Sequence, residues 1–513
     1  MKKIVSLLLV ILMLTSLLMA CQKQEEESSD PTTVVPQTSI NEVEEDEKGI
    51  PKDRIPEGEA LEALGFAGST VKVLSWEEEE AQNFPKEDSA EDPIKSKLYN
   101  HWLAIEERLS IDLDPTWCTM HTNNYNTFLT VARSDDANYD LIQTQSLFPS
   151  SLATEGYLCN LRNNLKFPDL EKNSEGEMMP WWPESVDAWT HNDSLFFIVS
   201  NSSAMGISNM AVIFINDGMI TSKGASSPVE SVIRGLWTVE EMNNVSKLFA
   251  GAAESATPES RYYGFAVDHF SRLDPLYYSM GFDSIVKNSS GVAEFGYDET
   301  NELEAITKAI AKLEPLITGV ETIVNDDANL DDPSLMNEGR CAMLLGFMQY
   351  IRQLEKTEEY TVVPLPMLDT KQSDPTSAGK GYRTTHRDWM DVWCIPTTTS
   401  NKVLSGIVLE ANASSEYRLI APFYYEQYLK DRYANGDSGR QCFDILRASV
   451  IYDFGRAMFW SDIGAETFWR PCFRNSGKTS FANVFESNFK ASSDDRVLSL
   501  QELLDAYEQY KNN

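Results

Sequence analysis

Residues 70–146 carry the sequence pattern that decides the fold. In the segment Thr70-Val-Lys-Val-Leu-Ser-Trp76, polar and apolar residues alternate before the pattern ends, which predicts a β-strand. Apolar residues at helical spacing predict an amphipathic helix across Asp92–Leu109. The elements predicted after this helix are a strand at Ile111–Asp114, a helix at Tyr125–Arg133 and a strand at Tyr139–Ile142. This β-α-β-α-β order predicts a parallel sheet that is covered by helices.

Strands and helices continue to follow one another along the rest of the chain. A capping box, in which Thr238 precedes Glu241 by three residues, predicts a helix start. Beyond Asn401 the pattern is mostly helical. Further strands are predicted at Ser194–Asn201, Ala211–Asn216, Tyr263–Val267, Cys341–Leu345, Tyr360–Leu365 and Trp393–Pro396. The predicted fold class is α/β, and the roughly 440 residues outside the N-terminal segments suggest two or three domain-sized units.

The chain begins with a segment that is typical of secretion signals. A basic head, Lys2-Lys3, precedes the almost wholly apolar stretch Ile4–Met19. The sequence Leu18-Met19-Ala20-Cys21 resembles the lipobox of bacterial lipoproteins, in which the cysteine sulfur receives a diacylglycerol. The resemblance implies that residues 1–20 are a signal peptide and that Cys21 is lipidated. The alternative is an ordinary signal whose cleavage falls near a cysteine.

Residues 21–68 are predicted to form a disordered acidic tether. They contain charge runs such as Glu44-Glu45-Asp46-Glu47 and few apolar residues, so they have too little apolar surface to form a core. The whole chain has 79 acidic and 43 basic residues, which give a formal charge of −36. This charge disfavours nucleic acid and anionic lipid as partners of the folded body. It favours a neutral, zwitterionic or cationic ligand over a polyanion.

Several kinds of catalytic and metal site have no sequence signature in this chain. The six cysteines after Cys21 are scattered and include no C-x-x-C pair, which argues against a metal knuckle or redox motif. Disulfides are compatible with an extracellular location, although buried free thiols are favoured for most of these cysteines. The five histidines include no H-x-x-x-H pair, and no G-x-S-x-G motif occurs. We therefore expect no metal, no cofactor and no catalytic residues.

Four motifs in a fixed order point to a known family. They are Tyr139–Ile142 with the turn Glu155–Leu161, Leu236–Met242, Met336–Met343 and Tyr360–Pro366. Behind a lipobox, they resemble the extracellular solute-binding proteins of ABC importers, of the sugar-binding type. The corresponding family motifs are a strand with a G-x-L-x-x-L turn, a P-x-T-W-x-E helix start, an F-x-x-G-K-x-A-M segment and a V-x-P-x-P strand. Tyr424–Lys430 and Ser449–Gly455 resemble a C-terminal extension of related lipoproteins.

The resemblance covers the chain from about Val71 to its C-terminus and implies a two-lobed, type II periplasmic-binding-protein-like fold. The expected N-terminal lobe comprises 69–203 and 340–392, and the expected C-terminal lobe comprises 204–339 and 393–513 with its helical region. The ligand cleft would lie between the lobes at the carboxyl ends of strands. Hinge closure would capture the ligand, and the closed form would dock on permease subunits.

Candidate ligand-binding residues lie near the ends of predicted strands or lobe crossings. Sugars need flat apolar faces against their C–H side and fixed hydrogen-bond partners for their hydroxyl groups. The candidates are Trp76, Glu77, Glu79, Gln143, Gln145, Trp182, His269, Phe270, Phe347, Asp388 and Trp389. Trp76 and Gln145 rank first among these candidates. For every candidate the alternative is a core aromatic or a solvated polar residue.

A possible calcium loop is also present in the sequence. Four residues have EF-hand spacing: Asp327, Asn329, Asp331 and Glu338. The glycine that the sharp turn requires is replaced by Asp332, and Pro333 follows it. The favoured alternative is a helix start with Asp332 as N-cap and Pro333 at the first helical position.

These observations predict a monomeric, lipid-anchored binding protein on the outer face of the cell membrane. It would deliver a carbohydrate, with an oligosaccharide favoured, to an ABC importer. Two alternatives remain open. One is a secreted glycoside hydrolase, because 79 acidic residues leave many possible carboxylate pairs. The other keeps the fold but changes the ligand to a peptide or another organic solute.

Overall fold

The computed structural model describes most of the chain after the tether. It covers residues 52–513 apart from 77–82, 135, 163–178, 252–259, 268, 297–301, 325–331, 355–359, 375–379, 388–389, 459–462 and 475–479. The signal segment, the lipobox cysteine Cys21 and most of the tether therefore lie outside the described residues. Within the described part, no helix has both the length and the apolar character needed to span a membrane.

The first sheet is built mainly from the N-terminal part of the chain. Its described strands are β1 (Thr70–Trp76), β2 (Asp112–Cys118), β3 (Leu141–Gln145) and β11 (Asp391–Cys394), in the order β11-β3-β1-β2. Strand β1 is parallel to β2 and β3, while β11 is antiparallel to β3. The β-α-β-α-β prediction is confirmed. Strand β2 runs further than predicted, through Pro115, because proline is tolerated in an edge strand.

The second sheet is mixed. Its described strands are β4 (Ala211–Asn216), β5 (Phe265–Val267), β8 (Thr322–Val324), β9 (Met343–Phe347) and β10 (Tyr360–Val363), in the order β10-β4-β9-β5-β8. Strand β4 is antiparallel to β9 and β10, whereas β5 is parallel to β8 and β9. A separate antiparallel ribbon consists of β6 (Ile285–Lys287) and β7 (Ala293–Phe295).

At two places, the observed pairing of a strand disagrees with the lobe to which its residues were assigned. The range 340–392 was expected in the N-terminal lobe, but β9 and β10 are hydrogen-bonded to β4 in the second sheet. The range 393–513 was expected in the C-terminal lobe, but Trp393 and Cys394 pair with β3 in the first sheet. The reason is physical: apolar patterning identifies a strand, while its partner depends on contacts far away in the sequence.

Helices cover both sheets. The described α-helices are α1 (Glu59–Glu62), α2 (Pro93–Leu109), α3 (His121–Arg133), α4 (Pro149–Thr154), α5 (Pro183–Trp189), α6 (Ala204–Ser208), α7 (Asp217–Ser222), α8 (Val229–Ile233), α9 (Val239–Lys247), α10 (Pro275–Ser279), α11 (Glu302–Ile317), α12 (Asp332–Asn337), α13 (Lys402–Ser415), α14 (Asp431–Tyr433), α15 (Gly436–Ala448), α16 (Phe454–Ala457), α17 (Glu466–Arg474), α18 (Phe481–Ala491) and α19 (Ser493–Gln509). Short 3₁₀ turns span Phe270–Leu273, Met348–Arg352 and Thr370–Ser373, and π-helical turns span Glu416–Ile420 and Phe423–Lys430.

Each sheet has its own hydrophobic core. The first core includes Val71 and Leu141 from the sheet and Leu404 from α13. The second core includes Phe214 and Leu344 from the sheet, together with residues of α17 and α18. Helix α19 returns to the first core, so the C-terminal region contributes to both. Two separate cores define two lobes that the chain joins by several crossings.

Two further sequence expectations can be compared with the structure. Residues 194–201 were predicted to form a strand, but they make only isolated bridges, one of them between Ile198 and Trp393 at the edge of the first sheet. The six cysteines after residue 21 have free thiols, and all but Cys118 are buried.

The possible calcium loop lies mostly outside the described residues. Helix α12 begins at Asp332, the predicted helix start. Glu338, the last residue of that EF-hand spacing, pairs with Arg340 at 2.6 Å.

Candidate ligand cleft between the two sheets

The candidate cleft lies where strand ends of the two sheets face the crossing segments. At the edge of the first sheet, Trp76 ends β1, and Gln145 ends β3 opposite Asp391 at the start of β11. At the edge of the second sheet, Phe347 ends β9 opposite Ala211 at the start of β4. The chain reaches β4 directly from the first crossing, which comprises residues 200–210, and it approaches β11 through the return crossing, which includes residues 384–387. Open α/β sheets bind ligands at such strand ends.

Trp76 connects the first sheet to the crossing between the lobes. Its side chain is only 2 % exposed and packs against Met205 of α6, which lies in that crossing. The indole also meets the His121 ring edge to face, with 5.7 Å between ring centroids. Trp76 therefore packs at the lobe seam, and its role as a ligand contact stays a prediction.

The two predicted glutamines of β3 have different environments. Gln143 accepts a hydrogen bond from Ser75 Oγ at 2.6 Å and donates to Asp391 Oδ2 at 2.7 Å, so its side chain joins three strands. Gln145 is 1 % exposed, and its Oε1 atom has no hydrogen-bond partner among the described residues. A buried acceptor without a partner costs about 1–3 kcal/mol, which an incoming hydroxyl group would recover. This geometry favours Gln145 over Gln143 as a ligand contact.

An aromatic stack beside Gln145 was missed in the sequence. The ring of Phe148 stacks on Tyr125 with a centroid distance of 4.6 Å and on His121 at 6.0 Å. The hydroxyl group of Tyr125 lies 3.2 Å from Ser151 Oγ. His121 and Phe148 each follow a strand end by three residues, whereas Trp76 is itself the last residue of its strand. Counting aromatics shortly after each strand end could have found them.

Trp182 lies in the first core rather than at the strand ends. Its indole nitrogen donates to Glu410 Oε2 at 2.7 Å, and Trp181 donates to the same oxygen at 3.3 Å. Burial raises the pKa of Glu410, and the two indole hydrogen bonds oppose that rise. The role visible for Trp182 is to satisfy a buried carboxyl group.

The candidates on the second sheet have cationic neighbours. The guanidinium carbon of Arg272 lies 5.1 Å from the Phe347 ring centroid, and that of Arg387 lies 5.5 Å from it. The guanidinium carbon of Arg474 lies 4.3 Å from the Phe270 ring centroid. His269 caps the turn that follows β5, because its Nδ1 atom accepts from the Ser271 amide at 3.2 Å. The remaining candidates, Glu77, Glu79, Asp388 and Trp389, lie outside the described residues.

A small cavity lies where the return crossing meets the first sheet. It has a volume of about 20 Å³, and Ser146, His386, Arg387, Tyr452 and Arg456 are among its lining residues. Such a volume holds about one water molecule. A sugar ring at this point therefore requires the lobes to separate. Burial, with a further contribution from Arg456, lowers the pKa of His386 to about 3, so its imidazole is neutral.

Comparison with solved structures identifies the fold. The galacto-N-biose/lacto-N-biose I-binding protein of an ABC transporter from Bifidobacterium longum matches with a TM-score of 0.54 and 10 % identity, covering 84 % of this chain and 98 % of that one. An ABC transporter-associated binding protein from B. animalis subsp. lactis, in complex with β-1,6-galactobiose, gives 0.52 and 12 %, with 84 % and 98 % covered. An ABC substrate-binding protein from Listeria monocytogenes, in complex with cycloalternan, gives 0.52 and 10 %, with 83 % and 98 % covered.

The chain therefore has the two-lobed, type II fold of ABC solute-binding proteins. This confirms the fold class that the motifs implied. No protein-family model matches the chain, and no curated protein matches it either. The identities of 10–12 % carry information about the fold, so the function rests on the geometry of the seam.

Proposed function

We propose that this protein captures a carbohydrate, favouring an oligosaccharide, between its two lobes and delivers it to an ABC importer. The observation that carries the proposal is the seam itself. Two sheets with separate cores turn their strand ends toward shared crossings, and Gln145 brings to that place a buried acceptor that has no hydrogen-bond partner among the described residues. The fold is shared with solved carbohydrate-binding proteins of ABC transporters, which supports the same class of ligand here.

The proposed capture step is hinge closure. Helix α13 packs in the first core, whereas Ile420 and Tyr424 of the π-helical turns that continue it pack in the second core. π-helical turns are rare and occur often at functional sites. Glu416, at the junction, is hydrogen-bonded to Ser200 of the first crossing and to Asn412, while burial raises its pKa to about 8. A neutral carboxyl group thus links the junction to a crossing, which suits a hinge.

The proposed location is the outer face of the cell membrane. The lipobox supports a diacylglycerol on Cys21, and two acyl chains are sufficient for stable anchoring. Metabolic labelling with a palmitate analogue should modify the full-length chain and leave a Cys21→Ala variant unmodified. Equal labelling of both chains would contradict the anchor.

Calorimetry of the purified full-length chain against neutral and acidic oligosaccharides and short peptides tests the ligand class. Gln145→Ala should weaken sugar binding roughly two- to tenfold, because one hydrogen bond contributes about 0.5–1.5 kcal/mol. A matched control is Gln501→Ala, which removes an exposed glutamine of α19 and should leave affinity unchanged. Binding of peptides but not of any sugar would refute the carbohydrate assignment.

Product analysis separates the binding protein from the hydrolase alternative. The solved structures with this fold that are named above are binding proteins, which favours capture without chemistry. Labelled oligosaccharides incubated with excess protein should be recovered intact. Catalytic release of shorter sugars, with several turnovers per protein, would establish a glycoside hydrolase instead.

A further inference from the structure

Three guanidinium groups cover the aromatic rings at the edge of the second sheet. Arg272 and Arg387 both lie against the ring of Phe347, and Arg474 lies against the ring of Phe270. Both rings were candidate platforms for the C–H face of a sugar. A ring face that is covered by a cation cannot also receive a sugar ring. The second lobe therefore offers cationic N–H donors where the sequence suggested apolar platforms.

The guanidinium groups come from different parts of the fold. Arg272 belongs to the turn that follows β5 in the second lobe. Arg387 belongs to the return crossing, and its backbone amide donates to Asn209 O of the first crossing at 2.8 Å. Phe347 is 1 % exposed, so it forms a rigid base between them. A group that contacts both arginines is therefore held by the second lobe and by a crossing segment together.

The chemistry of this arrangement suits an anion. A guanidinium group has five N–H donors in a planar fork, so it can keep a protein partner and still donate to a ligand. The planar fork of each guanidinium group matches the oxygens of a carboxylate, sulfate or phosphate. The formal charge of −36 suggested a ligand without negative charge. Charges beyond about 8 Å are largely screened at physiological salt, so the nearby arginines determine which ligand charge this place prefers.

We propose that the captured sugar carries an anionic group, a carboxylate or a sulfate or phosphate ester, which Arg272 and Arg387 hold against Phe347. This inference rests on the proposed function and specifies its ligand. Arg474 supplies a third positive charge beside Phe270 and strengthens the attraction without having to touch the anion.

Matched sugars test the anion directly. Calorimetry with the purified full-length chain would compare digalacturonate, its methyl ester and a sulfated galactobiose. We expect the uronate or the sulfated sugar to bind at least about tenfold more tightly than the ester, and the preferred one identifies the anion. Affinity for that sugar should fall as salt is raised, whereas affinity for the ester should not.

Arginine variants locate the anion. Arg272→Gln and Arg387→Gln should each weaken binding of the acidic sugar about tenfold or more and change binding of the ester less than threefold. Arg272→Lys and Arg387→Lys keep the positive charge, so they should lose less affinity for the acidic sugar than the glutamine variants do. The control Arg432→Gln removes a guanidinium group stacked on Tyr428, with the same change in charge, and should alter neither affinity. Thermal unfolding of every variant would establish that it is folded.

The outcomes separate this inference from the proposed function. Equal or tighter binding of neutral sugars, with no effect of either glutamine variant, would overturn the anionic ligand and leave sugar capture in place. Failure of every sugar, neutral or acidic, would overturn both. An acidic preference that survives both arginine substitutions would also overturn the inference, because the anion would then be held elsewhere.

Discussion

Removing one partner of the buried Arg456–Glu466 ion pair should destabilise the protein strongly. The side chain of Glu466 is 2 % exposed, and that of Arg456 is 9 % exposed. Arg456 also donates through Nε and Nη2 to the carbonyl oxygen of His386, at 3.2 and 2.8 Å. Tyr278 donates its hydroxyl group to Glu466. The pair thus ties α16 and α17 to the crossing that returns to the first sheet.

The expected magnitude follows from this burial. Glu466→Gln preserves shape but leaves the guanidinium group of Arg456 without its carboxylate partner, which should cost about 3–5 kcal/mol. Arg456→Met leaves the carboxylate of Glu466 with the Tyr278 hydroxyl as its side-chain donor among the described residues, and it should cost a similar amount. The double variant buries no unpaired charge. Its cost should therefore be well below the sum of the two single costs.

Urea unfolding at pH 7, followed by both tryptophan fluorescence and circular dichroism, measures these costs. Coincident transitions from the two probes are needed, because two lobes can unfold separately. The control is Arg440→Gln, which breaks an exposed pair with Asp431 and should cause no measurable change. Single variants that each cost below about 1 kcal/mol, or a strictly additive double variant, would refute the reasoning.

Two further predictions concern pH and packing. Burial lowers the pKa of His101 to about 4, so the neutral imidazole contributes stability above the unfolded pKa of 6.5, and this contribution is lost as pH falls toward 4. Between pH 7 and pH 5, the free energy of unfolding should therefore fall by about 2 kcal/mol less in His101→Gln than in the unaltered protein. An equal fall in the two proteins would contradict the assignment. A Cβ atom on Gly264 would lie 2.2 Å from the Ser246 carbonyl oxygen, so Gly264→Ala should destabilise the protein by about 1–3 kcal/mol in urea unfolding. Gly251→Ala, which meets nothing within 4 Å, is the control, and equal stability of the two variants would exclude the clash.

The sequence predicted elements more reliably than their partners. Strand β1 was predicted with the observed bounds because alternation along a half-buried strand is a local property. The same local information placed strands near β9 and β10 but gave the wrong sheet, since Tyr360 finds its partner in Asn216, more than a hundred residues earlier. Residues 194–201, which were wrongly predicted as a strand, are largely buried and apolar, but they lie beside β11 without a continuous ladder of hydrogen bonds.

Among the site residues, position in the fold was predictable and chemical environment was not. Gln143 and Gln145 occupy one face of β3, and the sequence ranked Gln145 higher without any information about the partners of either side chain. They differ because Ser75 and Asp391 lie beside Gln143, while the Oε1 atom of Gln145 is left without a partner in the described part of the chain. Neither neighbour lies within sixty residues of Gln143 along the chain, so no local pattern could have shown that Gln143 already has these partners.

The same limit applies to the expectation about ligand charge. The formal charge of −36 describes the whole chain, and it says little about a seam at which two of the 43 basic residues lie against one ring. Placing Arg272 and Arg387 on one phenylalanine ring concentrates positive charge at the strand ends. A ligand anion that is held by the second lobe and by a crossing segment together would be bound most tightly when the lobes are closed. The proposed contact would therefore couple recognition of charge to capture.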